Sequence, residues 1–393
     1  MTETIATGRQ RIQSLDILRG IVMILMALDH VRDYFHVTAH TDDPMNLATT
    51  TPFLFFTRWI THFCAPAFVF LAGASAYLMG LKKTKAGLSA FLIKRGLWLI
   101  LAEITVVSLG WSFNPYYPFF FLQVIWAIGV GMILLGIMVW LPYPYILAAG
   151  LIIITGHNLL DGVQGGILWD FAHNGHFVAY RIAEGHTAVL IYPFLPWAGL
   201  MMAGYGAGKL YSPAVSATVR KKILVRCGLL LTGIFILLRF TNFYGDPEQW
   251  TTQKNTLYTI FSFVDVSKYP PSFLFVCMTI GPALLLLALL ENARGRLADI
   301  VKVYGRVPFI YYIAHLYLAH ALAAAVYFFR GHTLEEAMAT SGRSSFLFVA
   351  PGEGYNLGIV YGVWLLVVIS LYPLCRWFDR YKSRSRKWWL SYL

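Results

Sequence analysis

Within an otherwise apolar run over residues 15–36 stand Asp16, Arg19, Asp29, His30 and Asp33. At about 100° per residue in a helix, Arg19 and His30 fall within roughly 20° of each other, and Asp16 and Asp33 lie within about 40° and 60° of His30. Asp16, Arg19, Met23, Met26, His30 and Asp33 therefore share one face, polar at both ends and lined by thioethers between. Ionisable groups in an apolar span are costly and need a partner or a water-filled cavity, so this face belongs against other helices or a channel. At a rise of about 1.5 Å per residue, Asp16 and His30 are roughly 21 Å apart along the axis. A histidine oriented by a carboxylate is a general base near neutral pH, and Asp29 and Asp33 are the local carboxylates. The competing reading is a structural imidazole bonded to a neighbouring helix.

Other candidates are weaker. His173 and His176, with two residues between them and Asp170 nearby, have a spacing that can ligate zinc, but no HExxH or cysteine frame accompanies them, and no metal is expected. Gly199, Gly204, Gly206 and Gly208 suit close helix packing better than phosphate binding. Cys64, Cys227, Cys277 and Cys375 lie in apolar segments or at a span end without paired spacing, and read as thiols with no disulfide or metal role.

The elements that must position these residues are set by composition. Of 393 residues, 58% are hydrophobic and 13% charged, too few charges to coat a soluble domain. The apolar runs are unbroken for about 20 residues and do not alternate, so helices rather than a barrel are expected. The expected fold is an all-α polytopic membrane bundle of about ten transmembrane helices, forming one domain over residues 1–393. The expected spans are roughly 15–36, 53–81, 89–110, 118–140, 143–160, 187–208, 222–242, 269–291, 306–329 and 356–376. Arg9 and Arg11 precede the first run, which carries charges and lacks a small-residue cleavage site, so it reads as a retained helix rather than a signal peptide. The net charge is +12, but its basic residues gather in short loops around Lys82, Lys222 and Arg294 and in the tail from Arg376 to Lys387. That bias places both termini in the cytoplasm and argues against nucleic acid as a partner. The opposite loops, 37–52, 161–186 and 243–271, are rich in polar and aromatic groups, fitting either a vestibule or plain connections.

From Arg11 to His30 the sequence RIQSLDILRGIVMILMALDH resembles the opening helix of transmembrane acyltransferases. The acyltransferase-3 enzymes carry a comparable LDxLRG segment with a histidine fourteen residues after the aspartate, as His30 follows Asp16. The segments THFCAPAFVFLAG, YPFLPWAGLMMAGYGAGK, KYPPSFLF, GRVPFIYYIAHLYLAH, YPLCRWF and KWWLSYL are similar to a bacterial branch of the heparan-alpha-glucosaminide N-acetyltransferase-like family. Two departures stand out. Pro52 occupies about the place of the named enzyme's proposed catalytic histidine, and His62 stands where that family tends to be acidic. Heparan is therefore not inferred as substrate.

The resemblance implies transfer of an acetyl or other acyl group from cytosolic acyl-CoA to an extracytoplasmic sugar, glycan or lipid-linked acceptor, in a bacterial inner (plasma) membrane. His30 inherits the catalytic role, with Asp29, Asp33 and His62 beside it. Asp16, Arg19, Arg95 and Arg306, with Lys94, are the residues for the coenzyme's anionic end, and its arm would follow Met23 and Met26. Tyr311 and His315 share a face at the height of that arm and read as coenzyme contacts or a structural pair. Arg58, Gln123 and Lys268 are assigned to the acceptor side, where Arg58, Gln123 or His62 can donate to a tetrahedral oxygen. Membrane lipid is the surrounding partner, and the oligomeric state stays open. The rival reading is a proton-coupled transporter of a small or lipid-linked solute using Asp16, Arg19, His30, Glu103 and His315. No inverted repeat supports it.

Overall fold

The computed structural model describes residues 12–340, 346–385 and 387–391; Arg9, Arg11, Arg386 and the last two residues of KWWLSYL lie outside that set. The fold is an all-α membrane bundle with little strand. Its helices are α1 (Gln13–Phe35), α2 (Pro52–Thr61), α3 (Cys64–Gly80), α4 (Lys85–Ala102), α5 (Ser108–Ser112), α6 (Val124–Met138), α7 (Tyr143–Gly156) and α8 (Ile167–Trp169). The second half adds α9 (Phe194–Gly208), α10 (Ala217–Thr241), α11 (Thr256–Val264), α12 (Phe273–Leu290), α13 (Arg296–Arg306), α14 (Pro308–Phe329), α15 (Leu334–Ala339) and α16 (Leu357–Arg384). Among the described residues six segments are long and apolar enough to cross a membrane: 52–80, 143–160, 217–241, 273–290, 308–329 and 357–384.

Each of the ten expected spans contains a helix, with differences at their ends. The run over 53–81 is interrupted at His62–Phe63 between α2 and α3. Pro66 has no N–H to give the carbonyl four residues back, which weakens the helix there. Two expected spans begin as strands: β1 (Phe119–Leu122) and β3 (His186–Leu190) pair in parallel, and β2 (Val178–Ala183) pairs antiparallel with β3. A short apolar run such as FFFL reads equally as strand or helix by periodicity, and here the strand partner is supplied from 68 residues away in the chain, Phe119 pairing with Thr187. The segment after α4 widens into a π-helix over Glu103–Val107.

α1 is the central element, packed against α2, α3, α12, α13, α14 and α16. Bare glycine surfaces set its closest approach. A Cβ on Gly305 would sit 1.8 Å from the Asp16 carbonyl oxygen, and one on Gly20 2.1 Å from the Val301 carbonyl oxygen. The same device joins α3 to α9, where a Cβ on Gly204 would meet the Phe70 carbonyl at 2.1 Å. Ion pairs close the basic end. Arg306 reaches Asp16 at 3.5 Å and Asp379 at 3.3 Å, so the start of α1 and the end of α16 lie together. Arg220 pairs with Glu291 at the same kind of junction between α10 and α12.

Candidate functional site

The shared face of α1 opens into two chambers. The first, about 230 Å³, is lined by Arg19, Arg95, Arg306 and Lys382 and by an apolar sleeve that includes Met23, Met26, Phe91, Leu99 and Met132. The second, about 320 Å³, is lined by Asp29, His30, Arg32, Asp33, Arg58, Gln123, Tyr192, Lys268 and Tyr269, with Trp111 and Phe346. Met26, Phe68 and Val124 belong to both walls. Beyond the second chamber lies a vestibule of about 850 Å³, which shares Arg58, Lys268 and Tyr269 with it and is lined further by the loops at 43–46 and 247–270 and by His62, Asp161, Asn174, His176 and Arg239. The loops rich in polar groups thus line a vestibule.

His30 stands in the wall of the second chamber, and its orientation can be worked out atom by atom. His315 Nδ1 is 2.8 Å from the carbonyl oxygen of Tyr311, one turn back on α14. A carbonyl only accepts, so that nitrogen carries the proton and, in the neutral ring, Nε2 holds the lone pair. His315 Nε2 is 2.7 Å from His30 Nδ1; His30 must therefore donate there, leaving its own Nε2 as an acceptor. The register that makes this pair is simple. Gly20 and Gly305 share the close crossing of α1 with α13, and ten residues further along each strand of sequence stand His30 and His315. Trp111 meets the His30 ring edge-on with centroids 4.7 Å apart, and Tyr312 does so at 6.0 Å.

Several expected roles change. Asp29 and Asp33 do not orient His30. Arg58 pairs with one oxygen of Asp29, while Arg32 bonds its other oxygen at 3.1 Å and Asp33 at 2.6 Å. These guanidiniums claim the carboxylates because a charged donor outbids a neutral ring. Of the two readings of His315 and Tyr311, the geometry matches the structural pair: both are wholly buried behind His30, with rings stacked at 5.2 Å, and neither lines a chamber. A depth counted from the expected span edge placed His315 too near the basic end; the helix crossing sets its true level. His62 lines the vestibule rather than the chamber holding His30, carried there by the break between α2 and α3. Asp16 lines neither chamber and instead pairs with Arg19 at 3.3 Å and Arg306 at 3.5 Å. Arg19 also donates to the Gly305 carbonyl at 3.1 Å and to Ser75 Oγ at 3.0 Å, so it ties α1 to α3 and α13 as well as lining the chamber. Lys94 is exposed. Glu103 is buried and accepts from Trp126 N–H at 2.9 Å, filling the N-terminus of α6.

Arg19, Arg95 and Arg306 do come together, as do His30, Arg58, Gln123 and Lys268. Lys382, Trp111, Tyr192 and Tyr269 were not anticipated. Lys382 was concealed because α16 runs to Arg384, well past the expected end at 376. The weak zinc spacing of His173 and His176 with Asp170 does not assemble into a cluster: His176 stacks on Tyr269 with centroids 5.0 Å apart, and Asp170 accepts from the Tyr180 hydroxyl.

A helical membrane bundle enclosing a fixed histidine pair beside two joined chambers defines a membrane-embedded protein with an internal site. Residues 11–236 match the family described as heparan-alpha-glucosaminide N-acetyltransferase, catalytic, and the chain belongs to that family of transmembrane N-acetyltransferases. No curated protein matches it.

Proposed function

We propose that the chain moves an acetyl group from acetyl-CoA, or a related acyl-CoA, held in the first chamber to a glycan or similar acceptor held in the second. The observation that carries this reading is His30 Nε2, left as an acceptor by the His30–His315–Tyr311 chain in a chamber that abuts a cation-mouthed apolar sleeve. The basic end faces the cytoplasm, where the donor is made. Arg95, Arg306, Lys382 and Arg19 meet the nucleotide phosphates as charge-assisted donors, and the methionine sleeve accommodates the apolar arm up to Met26.

In the second chamber His30 Nε2 takes the proton from an acceptor amine or hydroxyl as that atom attacks the thioester carbonyl. A C–N or C–O bond forms and the C–S bond breaks. His30 then returns the proton to the departing thiolate. The bond from His30 Nδ1 to His315 holds the ring through both steps and spreads the imidazolium charge. Gln123 and Lys268 supply donors for the tetrahedral oxygen. Asp29, Asp33, Arg32, Arg58 and Lys268 make the second chamber polar, which suits a hydroxyl-rich acceptor and would repel an apolar one.

The test is release of CoA from acetyl-CoA by purified protein with a panel of amino- and hydroxy-sugars. His30→Ala is expected to lower kcat by about a hundredfold to ten-thousandfold, the range of general-base catalysis, with acetyl-CoA binding kept. Full turnover by His30→Ala would remove His30 from the reaction.

A further inference from the structure

The structure assigns a divalent-metal site of zinc type to His157, Asp161 and His173, at the loop end of α7 in the vestibule wall. His157 Nδ1 and His173 Nε2 are 3.1 Å apart, and Asp161 Oδ1 is 3.6 Å from His173 Nε2; each of the three residues offers a ligand atom within 4.8 Å of the others. With zinc bonds of about 2.0–2.2 Å, neighbouring donors of a tetrahedron are roughly 3.3–3.5 Å apart. The two separations to His173 Nε2, 3.1 and 3.6 Å, lie on either side of that value.

The tautomers point the same way. Asn174 Nδ2 donates to the Val163 carbonyl at 2.7 Å, which fixes the amide so that its oxygen faces His173 Nδ1 at 2.5 Å. His173 Nδ1 therefore carries the proton and Nε2 presents a lone pair to the cluster, where without metal it accepts from His157 Nδ1–H, a proton that a bound cation would displace. The bond from His173 Nδ1–H to Asn174 is the outer hydrogen bond that ligating histidines need. Asp161 Oδ1 is buried with no hydrogen-bond partner, while its other oxygen is held by Asn158 Nδ2 at 2.9 Å. A buried carboxylate oxygen aimed at a lone pair is unfavourable unless a cation lies between them. Both histidines are almost wholly buried, and Trp169 stacks on His173 with centroids 5.1 Å apart.

Two imidazoles and one carboxylate leave one of four positions for water or a ligand. Asp161 and Asn174 line the vestibule, and Asn158 also accepts from the N–H of Phe273 at the start of α12 at 2.8 Å. A metal here would lock the α7 loop onto α12 and put an oxygen-seeking cation at the edge of the acceptor's path. The site is independent of acetyl transfer, and its test uses no turnover.

Full-length protein purified without a histidine tag, stripped with EDTA and dialysed, is titrated with Zn²⁺ and separately with Co²⁺. One equivalent is expected to bind, with a visible tetrahedral Co²⁺ band that Zn²⁺ removes. Asp161→Asn, which keeps shape, is expected to weaken Zn²⁺ at least tenfold, and the pair His157→Gln with His173→Gln to abolish the band. His176→Gln, on a nearby vestibule histidine, is expected to leave both unchanged, and the melting temperature of each stripped variant reports folding. A stripped wild type that takes up no metal, or a folded double-glutamine variant that binds as tightly as wild type, would overturn the assignment.

Discussion

At the scale of single residues, the decisive fact is that His30 is oriented by another histidine and not by a carboxylate. Its partner His315 touches no chamber, so in the proposed reaction it would act only through His30. His315→Phe keeps the bulk of the buried ring but removes the acceptor for His30 Nδ1–H. It is expected to lower kcat about tenfold to hundredfold, leave KM for acetyl-CoA within about twofold, and shift the pH dependence of kcat; restoration by His315→Gln is expected to be partial. A rise in KM with kcat unchanged would place His315 on the coenzyme instead. His30 stood out in the sequence because an imidazole on an apolar span is costly and needs a partner or a cavity. Its partner did not. A stripe computed on one helix locates its own residues by angle, but which neighbour meets it depends on crossings such as Gly20 with Gly305, and these are visible only in three dimensions. The same reason hid the metal cluster: His157, Asp161 and His173 have no regular spacing, whereas the regularly spaced His176 faces away.

At the scale of elements, the apolar runs gave helices almost everywhere they were expected, since about 20 unbroken apolar residues leave the backbone few alternatives in lipid. The exceptions are β1 and β3, whose pairing is long-range; the outer layer over residues 242–272 was expected as a connection, and only its internal order was hidden. That layer is knit by the buried Arg239, which donates from Nε to the Phe263 carbonyl at 2.9 Å and from one terminal nitrogen to the Ser262 carbonyl at 3.0 Å. Asp246 accepts from Ser267 N–H at 2.9 Å and from the Ser272 hydroxyl at 2.6 Å. Asp265, closing α11, is less well served. Burial, then the facing Asp43, push its carboxyl up to about 7, with Asp246 and Glu248 adding to the push and Arg239 opposing it. A folded value above the unfolded one means that Asp265 favours folding fully below about pH 4 and loses this contribution as pH rises to about 7. Asp265→Asn is therefore expected to flatten the melting temperature between pH 4 and 7 and to melt higher than wild type at pH 8. Parallel pH profiles for the two proteins would show that Asp265 is not held in a protonated state.

At the scale of the whole molecule, three spaces follow one another from the basic end to the loop-rich end, and each joint has named walls. Met26, Phe68 and Val124 separate the first chamber from the second, and Arg58, Lys268 and Tyr269 separate the second from the vestibule. The chemistry of the walls changes along the path, from cationic to apolar to mixed charge. A solute pore needs one continuous polar lining, whereas a group-transfer site needs two dissimilar substrates to meet, and the thioether at Met26 is where the apolar sleeve ends. Glu103, the carboxylate a proton pathway would use, is instead committed to the start of α6. Filling the joint separates the two schemes. Met26→Trp adds bulk where both chambers share a wall, so it is expected to reduce acetyl transfer by at least a hundredfold while acetyl-CoA still binds within about tenfold of wild type, because the cationic mouth lies two to three helical turns away. In sealed vesicles carrying wild type, acetyl-CoA supplied on the basic side is expected to acetylate acceptor only on the opposite side, with CoA recovered where the donor was added. CoA appearing across the membrane, or a Met26→Trp variant that turns over at the wild-type rate, would mean that the acyl group does not cross at Met26.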